Sequence, residues 1–267
     1  MKERLDVLLV KKGFFDSREK AKRAIMAGLV FIGQERYDKA GTMVAEDSDI
    51  HVKGDTCPYV SRGGLKLEKS IKTWDIDLRD TVCLDIGSST GGFTDCMLKN
   101  GASKVYALDV GTNQLAYSLR VDPRVVVMEK TNVRDLDTET FEKTDFISID
   151  VSFISLNLVL PVASAILKDT GSIVALVKPQ FEAGREKVGK GGIVRDKSVH
   201  REVIENVIKY AENAGLAPCG LSFSPITGAK GNIEYLLYMK KTKDAGALLT
   251  EEDVKNIVES SHCELDK

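Results

Sequence analysis

Short apolar segments alternate with amphipathic ones along most of the chain, and this rhythm predicts the main part of the fold. Five apolar runs are rich in Val, Ile and Leu and too short for ordinary helices: TVCLDIG, KVYALDV, RVVVMEK, DFISIDV and SIVALVK. Continuous runs of this kind are typical of parallel strands buried on both faces, with helices in the segments between them. The chain from residue 64 onward is therefore predicted to be an α/β domain with an open parallel sheet.

The last two apolar runs, APCGLSFSP and GNIEYLLYMK, are separated only by ITGAK. A connection this short leaves no room for a crossover helix, so the two runs are predicted to pair as an antiparallel hairpin. An open parallel sheet with a terminal reversed strand is the arrangement of class I, Rossmann-like methyltransferases.

The first part of the chain has a different pattern of apolar and polar residues. SREKAKRAIMAGLV predicts a helix with a start signal at Ser17 and a stop at Gly28, and Ala21, Ala24 and Ile25 fall on one face of it. LVFIGQERYDKAG then predicts a strand and turn, and SDIHVKGD a closing strand. We predict a small α+β domain over residues 1–56, a linker over 57–63, the α/β domain over 64–243 and a polar C-terminal segment over 244–267.

Composition narrows the class of protein. With 43% hydrophobic and 29% charged residues among 267, the chain resembles an ordinary soluble protein. No run has the length of a membrane span or a secretory signal, and five scattered cysteines without a CxxC pair predict reduced thiols in the cytoplasm. None of the three histidines lies at ligand spacing, so a metal site is not expected. The net charge of −2 requires that any affinity for nucleic acid come from local clusters of positive charge.

A glycine-rich turn follows the first predicted strand of the sheet, in VCLDIGSSTGGFTD. Its G-xxx-GG spacing lacks the G-x-G-xx-G pattern of dinucleotide sites, and no Gly-Lys-Ser/Thr of a P-loop follows. Glycines at a helix N-terminus let the backbone approach a ligand and leave N–H groups free. The turn therefore suits S-adenosyl-L-methionine, which has no pyrophosphate; the alternative is a tight strand-to-helix connection without a ligand.

Two later positions support the cofactor interpretation. Asp109 ends the second strand, 24 residues after Asp85, where a carboxylate accepts hydrogen bonds from ribose hydroxyls. Asn132, after the third strand, either contacts adenine or caps its own loop. The predicted cofactor-binding residues are Asp85, Gly87, Ser88, Ser89, Thr90, Gly91, Gly92, Phe93, Asp109, Val110 and Asn132.

Four charged residues stand at or beside the ends of predicted strands. Asp150 follows FISI in the fourth strand, Lys178 closes the fifth, Glu234 lies in the final strand and Lys66 precedes the first. Ligands bind beyond the carboxyl ends of the strands in open α/β sheets, so Asp150 and Lys178 are predicted to share a crevice with the cofactor. One such residue alone is usually structural, but four in corresponding positions favour a catalytic group.

The order Lys, Asp, Lys, Glu resembles the tetrad of FtsJ-like RNA ribose 2′-O-methyltransferases. YVSRGGLKL, DIGSSTGGFTD, ALDVG, DVSFISL and VKPQFEAGR are similar to the TlyA family, often labelled haemolysin A, over nearly the full chain. This resemblance implies methylation of the ribose 2′-hydroxyl of cytidines in ribosomal RNA, with Lys66, Asp150, Lys178 and Glu234 as the catalytic residues. It does not extend to CPYV in the linker, where some relatives have Arg-x-Trp-Val.

The chemistry of a ribose hydroxyl fits these side chains, because the group is a poor acid and a weak nucleophile. Lys178 is expected to point at the hydroxyl oxygen, stabilising the developing alkoxide as an ammonium or taking the proton as a neutral amine. Asp150 would orient Lys178, while Lys66 and Glu234 would complete the charge balance. In-line methyl transfer would then depend mostly on positioning and need no metal. Base methylation fits less well, because DVSFIS replaces an Asp/Asn-Pro-Pro-Tyr stretch and no cysteine lies near strand four or five.

Positive charge is concentrated in two segments. Residues 1–23 hold eight Lys/Arg against four acids, and RLDVLLVKKGFFDSREKAKRAIMAGLVFIG resembles the RNA-binding domain of the fourth small-subunit ribosomal protein. Residues 178–201 hold seven Lys/Arg against three acids and predict a lid that clamps RNA. A solvated charged surface is the alternative in both cases. The predicted RNA-binding residues are Arg4, Arg18, Lys20, Lys22, Arg23, Arg62, Arg185 and Lys187.

Ribosomal RNA or ribosomal subunits are the expected partner, without a membrane or a metal, and a monomer is the working expectation. Three other functions compete: an RNA-binding protein with an inactive methyltransferase fold, a membrane-lytic factor as the family label suggests, and a nicotinamide oxidoreductase. The intact GSSTGG and the complete tetrad oppose the first. The absence of a strongly apolar segment opposes the second, and the glycine spacing opposes the third.

Overall fold

The computed structural model describes residues 2–15, 17–26, 28–53, 57–228, 230–241 and 249–265. The chain divides into two compact units, Met1–Pro58 and Tyr59–Lys267. The division between them falls within the predicted linker of residues 57–63.

The small unit, over its described residues, combines helices with short antiparallel strands. In chain order its elements are β1 (Lys2–Arg4), α1 (Leu5–Lys11), α2 (Arg18–Met26), β2 (Val30–Ile32), β3 (Glu35–Tyr37), β4 (Met43–Ala45) and β5 (Ile50–Val52). β2 lies between β3 and β5, and β1 pairs with β4. The α+β architecture predicted for the small domain is therefore confirmed.

The helix α2 forms where the apolar spacing predicts it. The hydroxyl of Ser17 accepts a hydrogen bond from the backbone N–H of Lys20, which lies in the first turn of the helix. Ala21, Ala24 and Ile25 are buried on one face, in a core shared with Leu5 and other residues of α1. This packed face holds the two helices together and leaves the charged side chains of α2 outside.

The large unit contains the predicted sheet. In chain order its elements are α3 (Gly63–Trp74), β6 (Val82–Ile86), α4 (Gly92–Lys99), β7 (Lys104–Leu108), α5 (Tyr117–Arg120), β8 (Val125–Met128), β9 (Thr144–Ile149), α6 (Leu156–Ile166), β10 (Leu167–Val177), α7 (Pro179–Glu182), α8 (Lys197–Asn213), β11 (Ala217–Phe223), β12 (Tyr235–Lys240) and α9 (Glu251–Leu265). Each of the five apolar runs predicted to be strands forms one, from β6 to β10.

The sheet has the order β11-β12-β10-β9-β6-β7-β8. Strands β8, β7, β6, β9 and β10 are parallel, whereas β12 is antiparallel to both of its neighbours, β10 and β11. The predicted hairpin and the predicted reversed strand are thus both confirmed. The reversed strand lies between β10 and β11, so its first residues reach the same edge of the sheet as the last residues of β9 and β10.

The predicted polar segment 244–267 includes an ordered helix, although its residues 244–248 and 266–267 lie outside the described part of the chain. In α9, Val254 and Val258 are buried in the main core of the large unit. The hydroxyl of Ser261 on the same helix lies 3.0 Å from the hydroxyl of Tyr235 on β12. The helix therefore belongs to the core packing of the large unit.

Helices in the described ranges are either too short or too polar to cross a lipid bilayer.

Candidate active site

Polar residues meet at one edge of the large sheet, where parallel strands end and the reversed strand begins. Asp109 follows β7, Asp150 follows β9 and Lys178 follows β10, so their side chains start from the carboxyl ends of parallel strands. Glu234 stands one residue before β12 and not within it, which corrects its predicted position. Because β12 is reversed, its beginning lies at this edge too, next to the end of β10. Lys66 reaches the edge from the helix α3.

The glycine turn between β6 and α4 is shaped by close packing. Gly87 has a φ of +87°, and a Cβ atom there would lie 2.4 Å from the carbonyl oxygen of Asp150. A Cβ atom on Gly92 would lie 2.3 Å from the hydroxyl of Ser61 and 2.8 Å from the backbone nitrogen of Gly64. Contacts within the protein thus require glycine at both positions, whereas the sequence argument gave approach of a ligand as the reason.

Asp85 stabilises the start of α4, the helix that follows this turn. Its side chain is fully buried and accepts hydrogen bonds from the backbone N–H and hydroxyl of Thr94 and from the hydroxyl of Ser148. Burial raises the pKa of Asp85 to about 6, although the bonds from Thr94 and Ser148 act in the opposite direction. The carboxylate of Asp85 therefore holds α4 to β9, and it does not face the open side of the turn.

Asp109 joins the glycine turn to the loop after β7. One carboxylate oxygen accepts from the N–H of Ser89 at 2.7 Å, and the other accepts from the N–H of Gly111 at 2.7 Å. Each oxygen keeps a second lone pair for a further donor. Val110 beside it is 71% exposed, and Asn132 caps a 3-10 turn by accepting from the N–H of Arg134, as one of its two interpretations predicts.

These features fit S-adenosyl-L-methionine. The exposed backbone around Ser89 and Thr90 leads into a helix N-terminus, Asp109 can accept from ribose hydroxyls, and Val110 offers apolar surface to a base. Ser88, Gly91 and Phe93 are buried parts of the same turn and helix start.

The four charged residues of the predicted tetrad converge. The ammonium nitrogen of Lys178 lies 2.5 Å from one carboxylate oxygen of Asp150, and that of Lys66 lies 2.7 Å from Glu234. Lys66 also lies 3.8 Å from the second oxygen of Asp150. The order in space is therefore Lys178, Asp150, Lys66, Glu234, with opposite charges adjacent throughout. Lys66, Lys178 and Glu234 are buried, and the side chain of Asp150 keeps 21% of its exposure.

An aromatic pair flanks Lys178 and was not part of the sequence prediction. Phe153 is 91% exposed, has a φ of +64°, and its ring centre lies 4.8 Å from that of Phe181. The ammonium of Lys178 lies 5.9 Å from the centre of the Phe181 ring and 3.3 Å from the hydroxyl of Ser152. In sequence, Phe153 is one apolar residue in an apolar run. Its exposure depends on the turn after β9, which no periodicity indicates.

In the small unit, Asp6 holds two of the predicted RNA-binding arginines. Arg4 and Arg18 both donate to the buried carboxylate of Asp6, Arg18 at 2.8 Å. The hydrogen bond from Arg4, joined by that from Arg18, lowers the pKa of Asp6 to about 2. Both arginines remain about half exposed, so their fixed guanidinium groups face solvent. Lys20 and Arg23 are also exposed on α2, and Lys22 pairs with Glu19 at 3.4 Å.

The remaining predicted RNA-binding residues lie in the large unit. Arg62 is exposed immediately before α3, and Arg185 is exposed in a 3-10 turn after α7. Lys187 is ion-paired with Glu202 at 2.5 Å. Further along the segment that contains Lys187, the N–H of Val194 donates to the side chain of Asn232, and the carbonyl of Gly192 accepts from that side chain.

Together, the strand order, the glycine turn and the acid after β7 define a class I, S-adenosylmethionine-dependent methyltransferase. Residues 59–241 match the FtsJ-like methyltransferase family, and residues 3–50 match the S4 domain. The chain belongs to the FtsJ-like methyltransferase family, and S-adenosyl-L-methionine is its cofactor.

Relatives match over most of their length. A protein of Bacillus subtilis (strain 168) named YqxC, described as a candidate rRNA methyltransferase, is 54% identical over 98% of this chain and 94% of its own. The 16S/23S rRNA (cytidine-2′-O)-methyltransferase TlyA of Mycobacterium tuberculosis (strain ATCC 25618 / H37Rv) is 41% identical over 90% of this chain and 91% of its own. The structure of a candidate hemolysin from Streptococcus thermophilus has a TM-score of 0.79 and 50% identity, covering 99% of this chain and 97% of that one.

Proposed function

We propose that this enzyme transfers a methyl group to the ribose 2′-hydroxyl of a cytidine in ribosomal RNA. The observation that carries the proposal is the row of alternating charges Lys178, Asp150, Lys66 and Glu234 at the cofactor edge of the sheet. Relatives named as rRNA cytidine-2′-O-methyltransferases, at about 40% identity, support the same substrate.

When bound, S-adenosyl-L-methionine supplies an electrophilic methyl group on a positively charged sulfur. Lys178 then acts on the ribose hydroxyl: as a neutral amine it would accept the hydroxyl proton, and as an ammonium it would stabilise the negative charge that develops on the oxygen. Asp150 holds the ammonium of Lys178 in place, and Lys66 prevents Asp150 from turning away. Glu234 fixes Lys66 in turn, because the two are joined at 2.7 Å in a buried pair.

Positioning accounts for most of the rate in this mechanism. A rigid sheet edge holds the side chains that align the ribose oxygen for in-line transfer, which turns a slow bimolecular encounter into an ordered one. The exposed ring of Phe153, next to Lys178, provides a face on which the target base stacks once it leaves its own RNA stack.

RNA affinity comes from positive charge away from the tetrad, because the tetrad itself is neutral. In the small unit, Asp6 presents Arg4 and Arg18 as a fixed pair, suited to phosphate oxygens of the RNA backbone. Arg62 and Arg185 in the large unit would add further phosphate contacts. These contacts give affinity and register but do not read the sequence of the RNA.

Transfer of a labelled methyl group tests the proposal directly. Purified protein is incubated with tritiated S-adenosylmethionine and ribosomal subunits from a strain lacking the gene, and the modified nucleotide is mapped by reverse-transcription stops. We expect one or a few labelled cytidines that resist alkaline cleavage on their 3′ side, as a 2′-O-methyl group requires. Label on a base would contradict the ribose assignment, and cofactor binding without any transfer would favour an inactive, RNA-binding relative.

A further inference from the structure

The loop after β9 and the segment after β10 run side by side at the tetrad. Lys178 contacts Asp150 and Ser152, and Phe181 contacts Phe153, so the two segments meet at successive positions along their length. Neither segment is regular strand here, so the sheet ladder no longer fixes their separation. Another contact must fix the distance between them.

Glu182, four residues after Lys178, makes that contact. One of its carboxylate oxygens accepts from the hydroxyl of Ser155 at 2.7 Å, and the other accepts from the N–H of Leu156 at 2.8 Å. Ser155 ends the loop that begins at Asp150, and Leu156 begins the helix α6. The two segments are therefore joined at both ends, by the ion pair of Lys178 with Asp150 at one end and by the hydrogen bond of Glu182 with Ser155 at the other.

The environment of Glu182 keeps this bridge in place. Leu156 is the first residue of α6, an eleven-residue helix whose N-terminus attracts negative charge. Burial raises the pKa of Glu182, while the bonds from Leu156 and Ser155 act against that rise. Capping of α6 does not by itself require Glu182, because the hydroxyl of Ser155 already accepts from the N–H of Asn157.

We propose that Glu182 is a positioning residue for the methyl-transfer reaction, and this inference rests on the proposed function. By tying the end of the Asp150 loop to the segment that carries Lys178, it keeps Lys178, Asp150 and the exposed ring of Phe153 in one fixed arrangement. Within the described residues, the hydrogen bonds of Glu182 go to Ser155 and Leu156, and not to the cofactor turn or to a member of the tetrad. Its loss should therefore slow the chemical step and leave binding of the cofactor unchanged.

Three variants separate positioning from simple stability. Glu182→Ala removes both hydrogen bonds, whereas in Glu182→Gln the amide oxygen can accept from Leu156 and the amide N–H can donate to Ser155. Asp253→Ala is the control, because it removes the hydrogen bonds that Asp253 accepts from Thr250 at the start of α9 and leaves the bridge intact. For each protein we would measure kcat and KM for RNA, the dissociation constant for S-adenosylmethionine and the melting temperature.

We expect Glu182→Ala to lower kcat about tenfold or more, because misplaced groups lose much of the advantage of orientation. The cofactor dissociation constant should stay within about twofold, Glu182→Gln should recover most of kcat, and Asp253→Ala should lower only the melting temperature. An unchanged kcat in Glu182→Ala would overturn the inference, as would equal losses of kcat in Glu182→Ala and Asp253→Ala. A wild-type enzyme without methyl transfer would instead contradict the proposed function itself.

Discussion

Lys178 is the residue on which the proposed chemistry depends most. Its ammonium is buried and bound to Asp150, so it is held where a long, flexible side chain would otherwise sample many positions. Lys178→Ala should reduce kcat by about a hundredfold or more, because it removes the group that handles the proton and the charge on oxygen. Cofactor affinity should be nearly unchanged, since Lys178 lies outside the glycine turn.

Single-turnover methyl transfer and cofactor titration measure these two effects separately. Lys143→Ala, which removes an exposed lysine away from the tetrad, is the control. Wild-type turnover in Lys178→Ala would mean that the lysine only stabilises the fold.

Asp85 should make stability depend on pH. Its pKa of about 6 in the folded protein exceeds the unfolded value near 3.9, so the folded state holds an extra proton between these pH values. The stabilising contribution is complete below about pH 4 and is lost as the pH rises through 6. Asp85→Asn cannot titrate, yet its amide can keep the bonds to Thr94 and Ser148.

Urea unfolding between pH 4 and 7 tests this expectation. The free energy of unfolding of wild type relative to Asp85→Asn should fall by about 1–3 kcal/mol over that range. Asp135→Asn, which makes the same substitution at an exposed position, is the control variant. A constant difference between wild type and Asp85→Asn would show that Asp85 does not titrate in this range.

Phe153 should contribute to RNA substrate use and not to cofactor binding. Stacking of a base on an aromatic ring is worth about 1–3 kcal/mol, so Phe153→Ala should lower kcat/KM for RNA about tenfold. Phe153→Tyr keeps a ring face and should retain most activity. Leu158→Ala, which truncates another exposed apolar side chain, is the control in the same assay. Equal activity of Phe153→Ala and wild type would exclude a stacking role.

Sequence reasoning found the charged residues of the site but not the contacts that arrange them. Asp150 and Lys178 were predictable because each ends a recognisable strand, and parallel strands end at one edge. Glu182 and Phe153 were not, because their roles depend on how two irregular segments meet. The close packing at Gly87 was not predictable for the same reason, since the atom that excludes a side chain there belongs to Asp150, far along the chain.

At the scale of elements, the polar composition of α9 does not indicate that the helix packs on the core. The segment is polar overall, yet Val254 and Val258 lie four residues apart and both are buried in the large core. Val258→Ala should lower the free energy of unfolding by about 1–3 kcal/mol, through lost burial and the cavity left behind. Lys255→Ala on the exposed face of the same helix should change it little.

Thermal or urea unfolding of full-length protein measures both variants. Equal stability of Val258→Ala and Lys255→Ala would mean that α9 is not packed on the core in solution. Elements with a strong local pattern were predicted from sequence: α2 from the spacing of its apolar residues, and β6 to β10 from their continuous apolar runs. The packing of α9 was not, because two apolar positions in a polar helix are a weak signal.

At the scale of the whole molecule, the net charge does not show how the positive charges are distributed, and affinity for RNA depends on that distribution. The chain carries −2 overall, yet Arg4 and Arg18 are held together by Asp6 in the small unit. The double variant Arg18→Ala, Lys22→Ala should weaken RNA binding and reduce the slope of log affinity against log salt by about 1–2, one unit per lost phosphate contact. Methyl transfer at saturating RNA should persist.

Filter binding at several salt concentrations gives the slope. Arg36→Ala, Lys39→Ala removes the same charge from exposed positions of the small unit outside the predicted RNA-binding set. An equal change of the slope in both double variants would indicate a general electrostatic attraction between RNA and the small unit. An unchanged slope in both would show that RNA is anchored elsewhere.

The placement of β12 has a consequence for the order of events during synthesis. Glu234 arrives at the catalytic edge only when β12 inserts between β10 and β11, after almost every other strand exists. During synthesis the residues of the glycine turn and Asp109 therefore precede Glu234 by more than a hundred residues. The row of charges proposed to be catalytic therefore cannot close until nearly all of the large unit has been synthesised.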